Sequence, residues 1–555
     1  MKQIFKSGSK YYIAFDYFPS IVDAIKLIPG RAFDSTQKRW SVPESSRHHL
    51  SAFATRWEFK MPEERITAFD NFDYTIPAMP QLMMEISLKM EMYGFQKEGV
   101  AYALEKKRLI IGDQPGLGKT IQAIAAITAA NAFPCLVIAP SSLKINWQRE
   151  IEMWTHKDAM ILSDSVKNTW KYFSDCGMAQ FFITNYESLK KYFVASIKEE
   201  FDENGKKKPV KLKNVKFKEG INVFKSVIVD ESHRVKEIKT LQTKLTKGIC
   251  TNKEYIFLLT GTPVVNKPND LMTQLAIIEQ MKVFGGSTNF KEVFCNKSEY
   301  WKELNVLLRR NCFYRREKQD VLKQLPPKVR QAILCNITTT REYNDAMKDL
   351  EDYLKRYKQA TDDEIKKSMK GEIMVRIGIL KNISARGKIA DVVDYVSDVV
   401  DAGEKIILFV HLKEVAEQLK RFFPAAVTIT GADDAQTRQR NIDAFQKDER
   451  VQVIICSIKA AGVGITLTAS SRVAFVELPW HPADCEQCED RAHRIGQYDS
   501  VQCSYFLGKN TIDEWIYQLI NEKRGMSRQI TGARDEVEES VMNGVIDLLS
   551  KKNDY

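Results

Sequence analysis

The sequence predicts an α/β protein with two parallel-sheet domains in tandem, preceded by a small α+β module. Three observations carry this. Apolar runs of strand length (RLIIG, PCLVIAP, QFFITN, SVIVDE and YIFLLTG) recur between about 81 and 325 with helical patterns between them, the signature of βαβ units in a sheet buried on both faces. A second series (EKIILFV, AAVTIT, VQVIICS and RVAFVEL) repeats that alternation from about 405 to 478. The chain has 555 residues, too many for one core and enough for roughly three to four folding units.

Taken in order, residues 1–75 are aromatic and basic. Turn signals at Pro19, Pro29-Gly30 and Pro43 punctuate brief alternating stretches, which reads as the α+β module. Asn71 to Pro80, with Pro77 and Pro80, reads as a linker. Residues 81–325 form the first large domain. Residues 326–385 are expected to be a helical linker or insert, because 338–381 lacks proline and is rich in helix formers. Residues 386–535 make the second large domain and 536–555 a C-terminal tail.

Composition narrows the class. At 44% hydrophobic and 28% charged residues the chain is ordinary for a globular protein, and it has no apolar run of the ~18 residues that a membrane crossing needs. The N-terminus has neither an apolar h-region nor a small-residue cleavage site, so the chain is expected to stay in the compartment where it is made. The net charge is +11, and Gly205 to Lys218 carries seven lysines and no acid. That stretch is either a solvated loop or a surface for polyanions. Ten scattered cysteines fit a reducing interior. The single CxxC at Cys485 and Cys488 lacks the two further ligands of a closed zinc site.

The chemistry begins at RLIIGDQPGLGKTIQAIAAI, which reads as strand, glycine-bearing loop and helix opening. In that context Gly116 and Gly118 let the backbone approach phosphates, Lys119 supplies charge to the β/γ oxygens, and the Thr120 hydroxyl is a magnesium ligand. Asp113 stands where the usual pattern has its first glycine. Downstream, SVIVDESH places Asp230 and Glu231 at the end of a strand. Asp230 would hold magnesium through water and Glu231 would orient and deprotonate the attacking water. The alternative is that the two acids only cap the following helix.

These segments, with those that follow them, resemble the Swi/Snf-type DNA translocases of helicase superfamily 2. Phe95-Gln96 is similar to the family's glutamine motif, DQPGLGKT to motif I, APSSLKINWQREI to Ia, TNYESL to Ib, VDESH to the DEAH-type motif II and LLTGTP to III. RREKQDVLKQLPPK resembles the bridge between lobes, IILFVH motif IV, CSIKAAGVGITLTAS motif V and QCEDRAHRIGQ motif VI. The resemblance spans about 81 to 532 and implies two RecA-like lobes, ATP and Mg2+ as cofactors, and double-stranded DNA as the track. It implies Gln96 as reader of adenine, Thr260 and Thr262 as couplers of nucleotide state to DNA grip, and Gln487, Arg491 and Arg494 reaching the γ-phosphate from the second lobe. Those three stand at i, i+4 and i+7 of an expected helix, on one face; Arg494 is the expected finger that stabilises transition-state charge. Ser141, Asn185, Ser457 and Lys459 become candidates for backbone contacts to DNA, with turn or cap chemistry as the alternative for each. The sequence departs from the family at Gln114-Pro115, His411 and Thr466.

IPGRAFDSTQKRWSVP resembles the HARP module of annealing helicases and fork-remodelling relatives, with Phe33, Asp34 and Trp40 at the matching positions. Forked or branched DNA is the implied ligand, and Trp40 is either a stacking platform or an anchor of the small core. The expected function is therefore an ATP-driven translocase or remodeller of duplex DNA. A strand-separating helicase on DNA or RNA, and a DNA-binding scaffold with an inactive motor, are the rivals. The lack of long tails points toward the nucleoid of a bacterium or a virus-infected cell, or the nucleus if the host is eukaryotic.

Overall fold

The computed structural model describes residues 3–7, 10–35, 37–43, 46–57, 59, 69, 72–203, 205, 207–261, 268–296, 299–359, 363–461, 464–480 and 482–527. Thr262 and the expected tail 536–555 lie outside the described residues. The chain divides into two compact units, residues 1–72 with 281–300 and residues 73–280 with 301–555.

In the first unit, four antiparallel strands (Gln3–Ser7, Lys10–Ala14, Arg39–Pro43 and Ala32–Asp34, in that spatial order) back onto the helices Pro19–Lys26 and Arg47–Trp57. Alternation along Lys10–Ala14 turns Tyr11 and Ile13 inward, where they meet Ile21, Ile25, Val42 and Leu50. Segment 281–300 was expected in the first large domain and instead groups with this unit. Aromatic packing is the physical reason. Phe290 and Phe294 sit together and the Phe69 ring lies 5.8 Å from Phe294 and 5.0 Å from Tyr300.

The second unit holds both lobes. The first lobe has seven parallel strands in the order Phe313–Tyr314, Arg108–Ile111, Tyr255–Leu259, Ser226–Asp230, Cys135–Ala139, Phe181–Asn185, Ala159–Ile161. Its central strands are uniformly apolar because helices cover both faces; every residue of Cys135–Ala139 and Tyr255–Leu259 is buried. The second lobe has six parallel strands ordered Lys328–Cys335, Val501–Gly508, Arg472–Phe475, Ile406–Val410, Val453–Ser457, Val427–Ile429.

The span 326–385 is thus not wholly helical. It opens with the edge strand Lys328–Cys335, which pairs along its full length with Val501–Gly508. Its exposed outer positions give it a polar sequence that hides the strand. The helices Thr340–Gln359 and Asp363–Gly387 follow as expected, yet they are no free arm. Leu350, Leu354, Ile373, Ile377 and Leu380 enter the core of the second lobe. Cys485 and Cys488 are buried in that same core.

The lysine-rich stretch is part of a β-hairpin on the first lobe. Val215–Phe217 pairs antiparallel with Val194–Ile197. Lys211 lies 3.2 Å from Glu200 and Lys207 pairs with Glu199, while Lys198, Lys208 and Lys216 are exposed. No helix among the described residues is long and apolar enough to cross a membrane.

Candidate active site

Parallel sheets present their loops for ligands at the carboxyl ends of the strands, and the first lobe does so with three neighbours. Arg108–Ile111 leads into the phosphate loop, Tyr255–Leu259 into Thr260, and Ser226–Asp230 into the acid pair. In the loop, Gly116 and Gly118 have φ of +88° and +78°, the left-handed region that glycine occupies without strain, and the helix Lys119–Ala129 starts directly after them. Lys119 Nζ donates to the Asp113 carbonyl at 2.8 Å. Burial pushes its ammonium down, and Glu231, Asp113 and Asp230 push it back up.

Asp113 explains its own departure from the usual loop. Its side chain is fully buried. Oδ1 accepts from Arg316 N and Nε at 3.0 and 3.1 Å, and Oδ2 meets Arg316 Nη2 at 2.5 Å and Gln122 Nε2 at 3.1 Å. Arg315 donates to the Gly112 and Gly261 carbonyls at 3.3 and 2.9 Å. The bridge segment therefore clamps the floor of the phosphate loop, and the glycine position has become an anchor.

At the acid pair, Glu231 has φ +51°, a strained value for a residue with a side chain and one that surroundings must hold. Both Asp230 oxygens are held: Oδ1 accepts from Glu231 N at 2.9 Å and Oδ2 from Trp147 Nε1 at 2.8 Å. Tyr186 OH donates to the Asp230 carbonyl. His233 Nδ1 stands 3.3 Å from Glu231 Oε2. Burial, with the Glu231 charge beside it, pushes Asp230 up. Burial pushes Glu231 up as well, but His233, Lys119 and Arg491 outweigh it and hold the carboxyl below its usual range. The Glu231 carboxylate makes no capping bond to the 3-10 turn that follows it and faces the His233 ring instead, so helix capping does not explain the pair.

The donor set fits Mg2+. That ion takes one or two carboxylates, a hydroxyl, waters and phosphate oxygens rather than an all-protein cage. Asp230 and the half-buried Thr120 would hold it, and bound there it would neutralise charge developing on the phosphates.

The second lobe supplies the other half, with one correction to the sequence reading. The helix Pro482–Glu489 ends before the arginines, so Gln487, Arg491 and Arg494 do not share a helical face. The chain tightens into i→i−3 bonds, Arg491 N to Cys488 O and Ala492 N to Glu489 O, both at 3.1 Å. A shared acceptor gathers the arginines instead: Nη1 of Arg491 and of Arg494 donate to the Ile465 carbonyl at 3.4 and 3.2 Å. Gln487 contributes its carbonyl to Arg491 Nε at 3.0 Å. Burial and the neighbouring Arg491 push the Arg494 guanidinium down to about 10, against the opposing pull of Glu150 and Asp490.

The lobes meet across this site. A Cβ on Gly116 would lie 2.7 Å from Cβ of Arg494, and one on Gly464 would lie 2.2 Å from Leu143 of the first lobe. Lys318 Nζ reaches Asp490 Oδ1 at 2.8 Å and also donates to the His493 carbonyl. Arg149 Nη1 spans to Asp443, 3.0 and 3.2 Å from its two oxygens.

The remaining expected residues fall unevenly. Gln96 is buried with both ends of its amide engaged, Nε2 on the Leu117 carbonyl at 3.2 Å and Oε1 under Tyr93 N at 3.0 Å, so it braces the loop in this state. Thr260 is buried beside the phosphate-loop strand, its N–H on the Ile111 carbonyl at 3.1 Å. Ser141 is exposed at the start of a 3-10 turn and Lys459 is exposed on the helix Ile458–Ala461, while Ser457 is half-buried at a strand end. Asn185 gives its amide to Glu187 at 2.8 Å, which is turn chemistry. Trp40 packs partly buried against the small core, its ring 5.0 Å from Phe33. Sequence reasoning missed Asp113 with Arg316, Lys318 with Asp490, and Trp147; only Asp113 carried a signal, as an unexplained departure.

Two family models match the chain, one after the other. Residues 95–388 match the SNF2-related domain and residues 387–496 the helicase conserved C-terminal domain. A Caenorhabditis elegans homolog of SWI/SNF-related matrix-associated actin-dependent regulator of chromatin subfamily A-like protein 1 is 29% identical over 561 residues, covering 95% of this chain and 76% of its own. The Xenopus tropicalis protein of that name is 28% identical, over 94% of this chain and 54% of its own. Human DNA annealing helicase and endonuclease ZRANB3 is 31% identical, over 80% of this chain and 40% of its own. The chain thus spans about half or less of these vertebrate relatives. The solved Sulfolobus solfataricus SWI2/SNF2 ATPase core in complex with dsDNA is 23% identical, with a TM-score of 0.38 over 85% of this chain and 97% of that one. With a family model matched over more than half its length, the chain belongs to the SNF2-related family of helicase-like ATPases.

Proposed function

We propose that the chain hydrolyses ATP between its two lobes and uses the closure to move along duplex DNA, remodelling forked or branched structures or reannealing strands. The observation that carries this reading is the split site itself. Lys119 and the acid pair belong to the first lobe, Arg491 and Arg494 to the second, and Arg494 packs on Gly116. In the chemical step Glu231, ionised at neutral pH, orients the attacking water and receives its proton. Lys119 and Arg494 stabilise the charge spread over the phosphoryl oxygens in the transition state. Because the charges that the reaction needs sit on different lobes, hydrolysis requires closure, and product release permits opening. The exposed cations, Lys459 among them, would grip phosphates without reading sequence, which suits a motor that tracks any duplex. The relatives named for DNA annealing and for chromatin regulation support the same assignment, and the setting would be a nucleoid, an infected cell or a nucleus.

The test is ATPase stimulation across duplex, single-stranded, forked and RNA ligands, beside triplex-displacement and strand-displacement assays. Duplex or fork stimulation with triplex displacement is expected. Strand separation without triplex displacement would make the protein an unwinding helicase, and a Lys119→Ala variant with an unchanged rate would remove the motor altogether.

A further inference from the structure

The helix Lys144–Trp154 touches both halves of the split site. Arg149 leaves it for Asp443 of the second lobe, Glu150 lies within the field of Arg494, and Leu143, just before it, packs where Gly464 has no side chain. From its inner face Trp147 reaches the acid pair. This tryptophan is 1% exposed, and its indole N–H lies 2.8 Å from Asp230 Oδ2.

A buried tryptophan contributes area to a core through its rings alone, and its N–H then takes whatever acceptor is near. Here the acceptor is a half-buried carboxylate at the end of the central strand Ser226–Asp230. Charge-assisted bonds of this kind are stronger than neutral ones and fix a side chain's rotation. The second oxygen is held by a backbone N–H, so among the described residues the indole is the one side-chain donor on this carboxylate, and it arrives from the helix that meets the other lobe.

We propose that Trp147 is the positioning residue of the magnesium carboxylate, fixing Asp230 through its indole N–H and tying it to the helix that carries the interlobe contact Arg149–Asp443. The proposal rests on the nucleotide-site reading above. Partners that orient a metal-binding side chain without touching the ion are worth about 10–100-fold in metal affinity, and Trp147 falls in that position.

The test is Trp147→Phe in the full chain, which keeps the rings and removes the N–H. The measurement is binding of a fluorescent ADP titrated with Mg2+ and, separately, in EDTA. The Mg2+ concentration needed for half-maximal binding should rise about 10–100-fold, while binding in EDTA stays as in the wild type. In an Asp230→Asn background the same substitution should add nothing further. An unchanged Mg2+ requirement overturns the proposal, and so does an equal loss with and without Mg2+, which marks a merely structural role. Wild-type protein that binds no Mg2+-nucleotide would instead overturn the functional reading. Should the phenylalanine variant fail to fold, the wild-type chain labelled with 15N-tryptophan gives the same decision. One of its eight indole N–H signals should be displaced by Asp230→Asn, and no displacement overturns the proposal.

Discussion

The two halves of the site are built by opposite means. In the first lobe the reactive groups stand at strand ends and are held from several sides: Asp230 on both oxygens, Glu231 in a left-handed backbone, and the phosphate loop clamped by Arg315 and Arg316. In the second lobe Arg494 hangs from a tight turn, and among the described residues its side chain donates a single hydrogen bond, to the Ile465 carbonyl. The comparison teaches that the groups of the first lobe are held as a template by many bonds, while the second lobe presents its arginine on few. In the closure reading proposed above, such a site is switched by bringing that arginine up to the template.

Substitutions should separate the two halves. Arg494→Ala is expected to lower DNA-stimulated kcat about 10³–10⁵-fold, the range for an arginine that stabilises phosphoryl-transfer charge, with nucleotide affinity little changed in equilibrium titration. If affinity fell as far as kcat, Arg494 would belong to the template. Glu231→Gln should cost about 10²–10⁴-fold in kcat, as loss of a general base does, and should leave DNA binding intact in a gel-shift assay.

Asp113→Ala tests the template as structure. Breaking a buried ion pair by removing one partner costs about 3–5 kcal/mol, read as a lower midpoint in urea unfolding of the first lobe. Asp113→Gly, which restores the common loop pattern, should destabilise as well; a neutral result would show that the clamp holds nothing. Smaller effects are expected between lobes. Burial pushes Lys318 down to about 8 although Asp490 opposes the shift, so the ammonium that bridges to Asp490 is present below that pH and is lost as pH rises through it. Closure, followed by fluorescence transfer between labels on the two lobes, should strengthen as pH rises from about 8, because the buried ammonium holds its proton less tightly than an exposed lysine does, and Lys318→Arg should remove that limb. Arg149→Ala removes an exposed pair and should change closure by no more than about 0.2–1 kcal/mol.

The sequence was most legible where one physical pattern ruled. Buried parallel strands must be apolar throughout, and the nine runs marked as strands, from RLIIG to RVAFVEL, all became strands of the two sheets. Four strands of the two sheets escaped notice; one, Val501–Gly508, is buried almost throughout, and the other three sit where that rule relaxes. Lys328–Cys335 is a half-exposed edge, and Phe313–Tyr314 and Ala159–Ile161 are too short for any periodicity. The sequence reading placed Lys119 at a helix opening and Asp230 with Glu231 at a strand end, where the structure has them. It failed at Glu489, where a helical period was extended past the point at which the backbone tightens. Nor could it reveal Trp147 or Lys318, because their partners are 83 and 172 residues away and only the fold brings them together.

Gly116 and Gly464 stand on opposite lobes, and each lies open where a side chain or backbone from the other lobe arrives. Mechanically these are clearances, like the gap cut into a door frame for the bolt. A single methyl at Gly464 would press on Leu143 and jam the mechanism ajar without touching a catalytic group, whereas one at Gly116 would press on Arg494 itself. Such jammed molecules would be useful for trapping the open form on DNA.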